Sequence, residues 1–187
     1  MQSDSSLTNQ LLIAMPGMLD PNFSTTVTLV CEHNDDGALG IVINRPTSLK
    51  LGGLFEQLEL SGADPGVAEQ PVMSGGPVGI ERGFVLYGAS HSYESTLDVS
   101  TDIRLTLSRD IIDAMALGDG PADTLVALGY AGWEAGQLEG EMLANSWLNV
   151  PATPEIVFAT PFDKRWDSAA RTLGIDIASL PTDAGHA

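Results

Sequence analysis

Thr25-Thr26-Val27-Thr28-Leu29-Val30-Cys31-Glu32-His33, the turn Asn34-Asp35-Asp36-Gly37 and the run Ala38-Leu39-Gly40-Ile41-Val42-Ile43-Asn44 decide the fold. The first run is β-branched at five of its first six positions, a composition that packs well on a pleated surface. Two such runs around a short Asn/Asp/Gly turn read as a hairpin. Alternation predicts Val27, Leu29, Cys31 and His33 on one face, with Thr28, Val30 and Glu32 on the other.

Working outward, Leu11 to Met15 reads as a strand stopped by Pro16-Gly17. Leu51, Leu54, Phe55 and Leu58 fall at helical spacing and predict a short amphipathic helix. Ser61 to Glu69 reads as a polar loop. Val72-Met73, Gly83 to Tyr87, Ile103 to Leu107 and Leu125 to Tyr130 read as further strands. Ser108 is placed to cap a helix carrying Ile111, Ile112 and Met115 inward, and Gly118 to close it. A helix over about Ala135 to Ala144 places Leu138 and Met142 together, and its Gly136 and Gly140 would let a neighbouring backbone come close. Trp147 to Val150 and Glu155 to Ala159 are short apolar segments. Thr160 as N-cap, Pro161 at the first helical position and Asp163 then open a last helix, with Trp166, Ala169, Ala170 and Leu173 buried and Gly174 as its stop. Strands joined by tight turns between short helices predict a single α+β domain over residues 1–187, with a strongly curved, mixed, largely antiparallel sheet. Residues 1–8 and 176–187 are expected at its periphery.

Charge excludes several roles. With 25 Asp plus Glu against 8 Lys plus Arg, the formal net charge is -17. Affinity for a polyanion comes mostly from Lys and Arg displacing counterions, so direct nucleic-acid binding is not expected. Neither does the Arg109 to Leu117 helix suit a recognition helix, because Asp110 and Asp113 lie beside Arg109. No apolar run reaches the roughly 20 residues of a membrane span. Met1 to Gln10 lacks the basic start of a secretory signal. The lone Cys31 cannot form an internal disulfide, so the expected compartment is the cytoplasm.

Residues able to carry chemistry are few. Cys31 and His33, two apart on one predicted strand face, could form a thiolate–imidazole pair, and equally a core cysteine beside a hydrogen-bonded histidine. His91 and His186 lie far off in sequence, so no metal site is expected, and no cofactor motif is present. Arg45, held extended by Pro46, could bind an anionic ligand or pair with a carboxylate. Ser74-Gly75-Gly76-Pro77 could present backbone N–H groups to an anion or simply make a tight turn. Trp133, in Gly129-Tyr130-Ala131-Gly132-Trp133, could line a pocket or fill the core. Glu139 and Glu141 point apart on their helix and make no acid/base dyad.

Five segments taken in order resemble the AlgH/YqgE family of small bacterial proteins. They are Met15-Pro16-Gly17-Met18-Leu19-Asp20-Pro21-Asn22-Phe23, the hairpin through Cys31-Glu32-His33 and Gly40 to Pro46, Ser74-Gly75-Gly76-Pro77-Val78, Leu128 to Trp133, and the closing Ala184-Gly185-His186-Ala187. The resemblance implies an α+β fold with a bifurcated sheet, part of it closing into a small barrel wrapped by short helices. It also implies a link to transcription by family label, with no assigned activity and no agreed catalytic residues. Two positions depart from the family pattern: Tyr87 where many members have His, and Glu134 where Gly is usual. The expected role is a regulatory or interaction protein rather than an enzyme, acting on an unknown protein partner or small molecule. The alternative is a small-molecule binder or enzyme using the Cys31/His33 face with Arg45 and the Gly75-Gly76 turn.

Overall fold

In the computed structural model, which describes residues 6–181, the chain forms ten strands among short helices. In chain order these are β1 (Gln10–Ala14), β2 (Val27–Asn34), β3 (Gly37–Val42), β4 (Pro46–Lys50), α1 (Leu51–Gln57), α2 (Pro65–Ala68), β5 (Pro71–Ser74), β6 (Val78–Gly88), β7 (Thr96–Asp98), β8 (Ile103–Thr106), α3 (Arg109–Ala116), β9 (Thr124–Glu134), α4 (Gln137–Leu143), β10 (Trp147–Pro151) and α5 (Arg165–Arg171). A π-helical turn, Glu155–Ala159, and a 3-10 turn, Phe162–Lys164, lead into α5, and a second 3-10 turn covers Ile177–Ser179.

The sheet runs β10-β1-β2-β3-β9-β6-β8-β7 and curls into a half-barrel. Its pairings are antiparallel except for β5, which joins β9 in parallel and carries β4 on its far side. Strand β9 therefore holds β6 along one edge, and β5 and then β3 along the other. This is where the sheet divides into two branches. The expected bifurcation is present, and the barrel-like part is this open curl.

Alternation sorts the side chains into an inner core and two outer ones. Leu11, Ile13, Leu29, Ile41, Phe84, Leu86, Leu125 and Ala127 point inward, where Val157, Ala169, Ala170 and Ile177 cover them. Val85, Tyr87 and Val126 point outward beneath α1 and α3. Leu12, Val30, Ala131 and Trp133 point outward beneath α4. Within β9 the parity changes between Ala127, which faces inward, and Ala131, which faces outward. Gly129, at φ 80°, takes up the change.

Several expectations are corrected. Ser61 to Glu69 is not wholly loop, since Asp64 caps α2 by accepting from the Gly66 N–H. Strand β4 is short and polar, so periodicity gave no sign of it. Glu155 to Ala159 winds as a π turn. Thr160 ends that turn instead of capping α5, because its hydroxyl donates back to the Glu155 carbonyl. Leu173 is exposed, and Gly136 and Gly140 border open space rather than a neighbouring backbone. At the C-terminal end, Ile177 is buried in the inner core. Residues 1–5 and the closing Ala184 to Ala187 motif, His186 included, lie outside the described residues.

Two glycine substitutions should move stability in opposite directions. A Cβ at Gly129 would overlap the Gly76 carbonyl and hold an unfavourable φ, so Gly129→Ala is expected to cost about 2 kcal/mol or more. Gly140 lies inside α4 with nothing near its missing Cβ, so Gly140→Ala should add roughly 0.5–1 kcal/mol. Urea unfolding of the two variants measures both changes.

Candidate functional site

Cys31 and His33 do not share a face. A β-bulge between Val30 and Glu32 makes Cys31 the extra residue of β2 and reverses the alternation beyond it. Cys31 points into the inner core with Leu29, whereas His33 pairs with Ala38 on the outer face. Burial, followed by the neighbouring Glu32 carboxylate, raises the Cys31 thiol pKa far above its ordinary value. The thiol is thus kept from its nucleophilic form. His33 is spent as well. Its Nδ1 accepts from the Leu7 N–H at 2.8 Å, which leaves the proton on Nε2 to be donated to Glu139 Oε1 at 2.6 Å. This correction removes the thiolate–imidazole pair.

Arg45 and the glycine turn do come together in part. Pro46 starts β4, and the half-buried Arg45 before it donates from Nη1 to the Asn22 carbonyl at 2.7 Å and from Nη2 to the Ser24 carbonyl at 2.8 Å. Asn44 holds the same loop by accepting from the Val27 N–H and donating to the Thr25 carbonyl. No carboxylate pairs with Arg45 among the described residues. It borders a cleft of about 280 Å³ with Asn22, Val42, Ser74, Gly76 and Ile80. Gly75 lies behind that cleft with its N–H donated to the Leu128 carbonyl, so this group is closed to an anion. Both glycines serve a close approach, since a Cβ on either would overlap the backbone of Gly129 or Tyr130.

Trp133 is buried. It packs edge-on against Trp147, with ring centroids 6.3 Å apart, and stacks with Phe23 at 6.2 Å. Tyr87, at the position that departs from the family pattern, is fully buried and shares a 2.9 Å hydrogen bond with Thr96. Glu139 and Glu141 do diverge, Glu139 toward His33 and Glu141 toward the two indoles. Burial pushes the Glu141 carboxyl above the ordinary glutamate range against the pull of the Trp133 and Trp147 N–H groups, and Asp20 adds repulsion. Its Oε2 reaches no hydrogen-bonding geometry. Hydrogen bonding to its own N–H and then to His33 holds the Glu139 carboxyl below that range.

Two features carried no clear sequence signal. The first is Arg165, buried at 6 % exposure beside a cavity of about 310 Å³. Adjacent to Lys164 in the sequence, Arg165 has nothing local that marks it for burial. The second is the free edge of β6. Strand β8 covers β6 only from Val85 to Gly88, which leaves 78–84 open on that side. Val78 and Ile80 are exposed there, Ile80 at 66 %. Half of the remaining cations are neutralised: Arg104 pairs with Asp98, Arg109 with Asp113 and Arg171 with Asp167.

Two measurements follow from these environments. Alkylation of Cys31 in the folded protein should be slower than in the urea-unfolded chain by about 10³-fold or more, since only opening exposes the thiol. Glu141→Gln should stabilise the protein at neutral pH, because it removes a carboxylate whose ionised form is poorly solvated. A raised native pKa contributes stability below the ordinary glutamate range and loses it as pH rises, so the gain should shrink on acidification. Urea unfolding at several pH values reads it; a gain that grows toward acid pH contradicts the assignment.

Comparison with known proteins places this geometry. A family model described as AlgH-like matches residues 11–178. The UPF0301 protein of Thioalkalivibrio sulfidiphilus is 52% identical over 187 residues, covering 100% of both chains. That of Ralstonia nicotianae is 53% identical over 182 residues, 97% of this chain and 96% of the relative. The solution structure of the AlgH protein from Pseudomonas aeruginosa superposes with a TM-score of 0.79 at 45% identity, over 100% of this chain and 99% of that one. A Corynebacterium diphtheriae crystal structure shares the fold at 18% identity, with a TM-score of 0.73 over 92% of this chain and 90% of that one. The chain belongs to the AlgH-like UPF0301 family.

Proposed function

We propose that the protein is a non-catalytic regulatory or interaction protein that engages a basic protein partner along the open edge of β6. The exposed stretch from Val78 to Gly83, held to β9 at its two ends and with no described strand on its other side, carries this reading. An open strand edge offers main-chain N–H and C=O groups to an added strand, and the alternate side chains beside it supply selectivity. An apolar groove of about 260 Å³ continues the surface on one flank, lined by Leu54, Leu58, Leu107 and Ile112 with Glu81 and Arg109 at its sides. With a net charge of -17, the field of the molecule favours a partner with a basic face and disfavours an acidic one.

A cytoplasmic site of action, with any influence on transcription exerted through that partner, fits the same charge. No described helix is long and apolar enough to cross a membrane. Of the eight basic residues, three are in ion pairs, Arg165 is buried and Arg45 is tied to carbonyls, which leaves Lys50, Arg82 and Lys164. Three cations cannot hold a phosphate backbone against this net charge.

A second reading, small-molecule binding, is favoured by the one part of the predicted site that assembles. Arg45, Ser74 and Gly76 share a single cleft. That cleft also reaches Ile80, so a bound molecule and a protein partner would meet there.

Native mass spectrometry of protein purified from its own host, compared with an Ile80→Asp variant, tests the proposal. A basic chain is expected to accompany the native protein, its affinity falling with salt and dropping tenfold or more in the variant, while circular dichroism shows an unchanged fold. Equal binding by the variant would refute the β6 edge. A retained small molecule that is lost in Arg45→Gln would favour the second reading. In a gel-shift salt series, no DNA retention is expected even at low salt.

A further inference from the structure

Arg165 presents an unbalanced charge. A buried guanidinium is costly unless an anion compensates it, and this chain offers 25 carboxylates. None pairs with Arg165 among the described residues. Its Nε donates instead to the Thr160 carbonyl at 2.9 Å, and its Nη1 to the Ile43 carbonyl. Nη2 takes no partner among the described residues, although the group is the most donor-rich of any side chain.

The guanidinium borders a cavity of about 310 Å³, within the size range of small-ligand sites. Gln70, Thr124 and Thr160 contribute polar groups to its wall, and Met73, Leu125 and Phe158 contribute an apolar side. Phe158 belongs to the π turn Glu155–Ala159, and Thr160 directly follows it. Such turns are rare and recur at functional sites, because they re-aim side chains at the cost of regular hydrogen bonding. Ala122 and Phe162, both exposed, stand at the mouth.

We propose that this cavity binds a small organic anion, with its carboxylate or phosphate oxygens on Arg165 and its apolar part against Phe158 and Met73. A guanidinium donates to either oxyanion, and with Nε and Nη1 engaged by carbonyls Nη2 is the group left to do so; the shared chemistry is the anionic head. Burial lowers the Arg165 pKa to about 10, which still leaves the cation in place at neutral pH. The site shares no lining residue with the Arg45 cleft and stands independently of the partner surface on β6.

The test follows the Arg165 Nε–Hε signal in nitrogen-15 NMR spectra of the full chain while benzoate and inorganic phosphate are added separately. A saturable shift of that signal, together with the Thr124 and Thr160 amides, is expected with benzoate. Two variants then locate it. Ala122→Phe obstructs the mouth from an exposed position, and Arg165→Lys keeps the charge but not the fork; each is expected to weaken binding tenfold or more. If phosphate saturates and benzoate does not, the anionic site stands and its ligand is a phosphate compound. Absence of a saturable shift with both probes, or binding unchanged in Ala122→Phe, overturns the proposal and leaves Arg165 as a staple between two carbonyls. Should Arg165→Lys fail to fold, Ala122→Phe still decides the matter.

Discussion

The close approach of two backbones, Gly75-Gly76 against Gly129-Tyr130, is the constraint on which the architecture rests. Strand β9 must accept β6 on one edge and both β5 and β3 on the other, and a strand has only one edge per side. The conflict is resolved by handing the second edge over part-way along. Strand β5 pairs at Ala127 and Leu128, and β3 takes over from Ala131. At the handover the chain after β5 crosses so near β9 that no Cβ fits, and Gly129 reverses the facing of every residue after it. Without that reversal Ala131 and Trp133 would point into the inner core, and the outer core under α4 would lose its base.

This explains which parts of the fold were legible. Where an apolar run is uninterrupted, as at Leu11 to Ala14 or Leu125 to Leu128, the sequence reports the strand, and burial on both faces leaves no single buried face to report. Where a bulge intervenes, the period still reports a strand and misreports the face. Cys31 and His33 show the consequence: the residue types and spacing suit a catalytic pair, yet one extra residue in β2 turns them to opposite sides of the sheet. A bulge is set by the partner strand, here Leu39 and Gly40 across the ladder, and a sequence window on β2 alone does not contain that information. The polar strand β4 and the π turn escaped for a related reason. Both are fixed by tertiary contacts that override local preference.

Of the predicted site residues, Arg45 and Gly76 were legible as neighbours because both flank strands that meet at β9, and a strand end followed by proline fixes where a side chain starts. Trp133 and Gly75 were legible as constrained positions, although the constraint is packing. Arg165 was not legible at all. Beside Lys164 it has the local character of a surface pair, and its burial depends on the π turn folding Thr160 back over it.

Half-buried Arg45 and buried Arg165 share one choice of partner. Arg104, Arg109 and Arg171 pair with aspartates, whereas Arg45 and Arg165 donate to backbone carbonyls alone among the described residues. A carboxylate partner cancels the charge; a carbonyl orients the guanidinium and leaves its charge intact. In a chain so rich in acids, cation sites without a carboxylate are the positions where an incoming anion would find the field still open. Exposed carboxylates act over about a Debye length, roughly 8 Å at physiological ionic strength, and salt screens them, while a buried cation is screened far less. The negative surface can therefore reject polyanions, which must approach it along their whole length, and still admit a small anion whose charge passes quickly from solvent to a sheltered arginine.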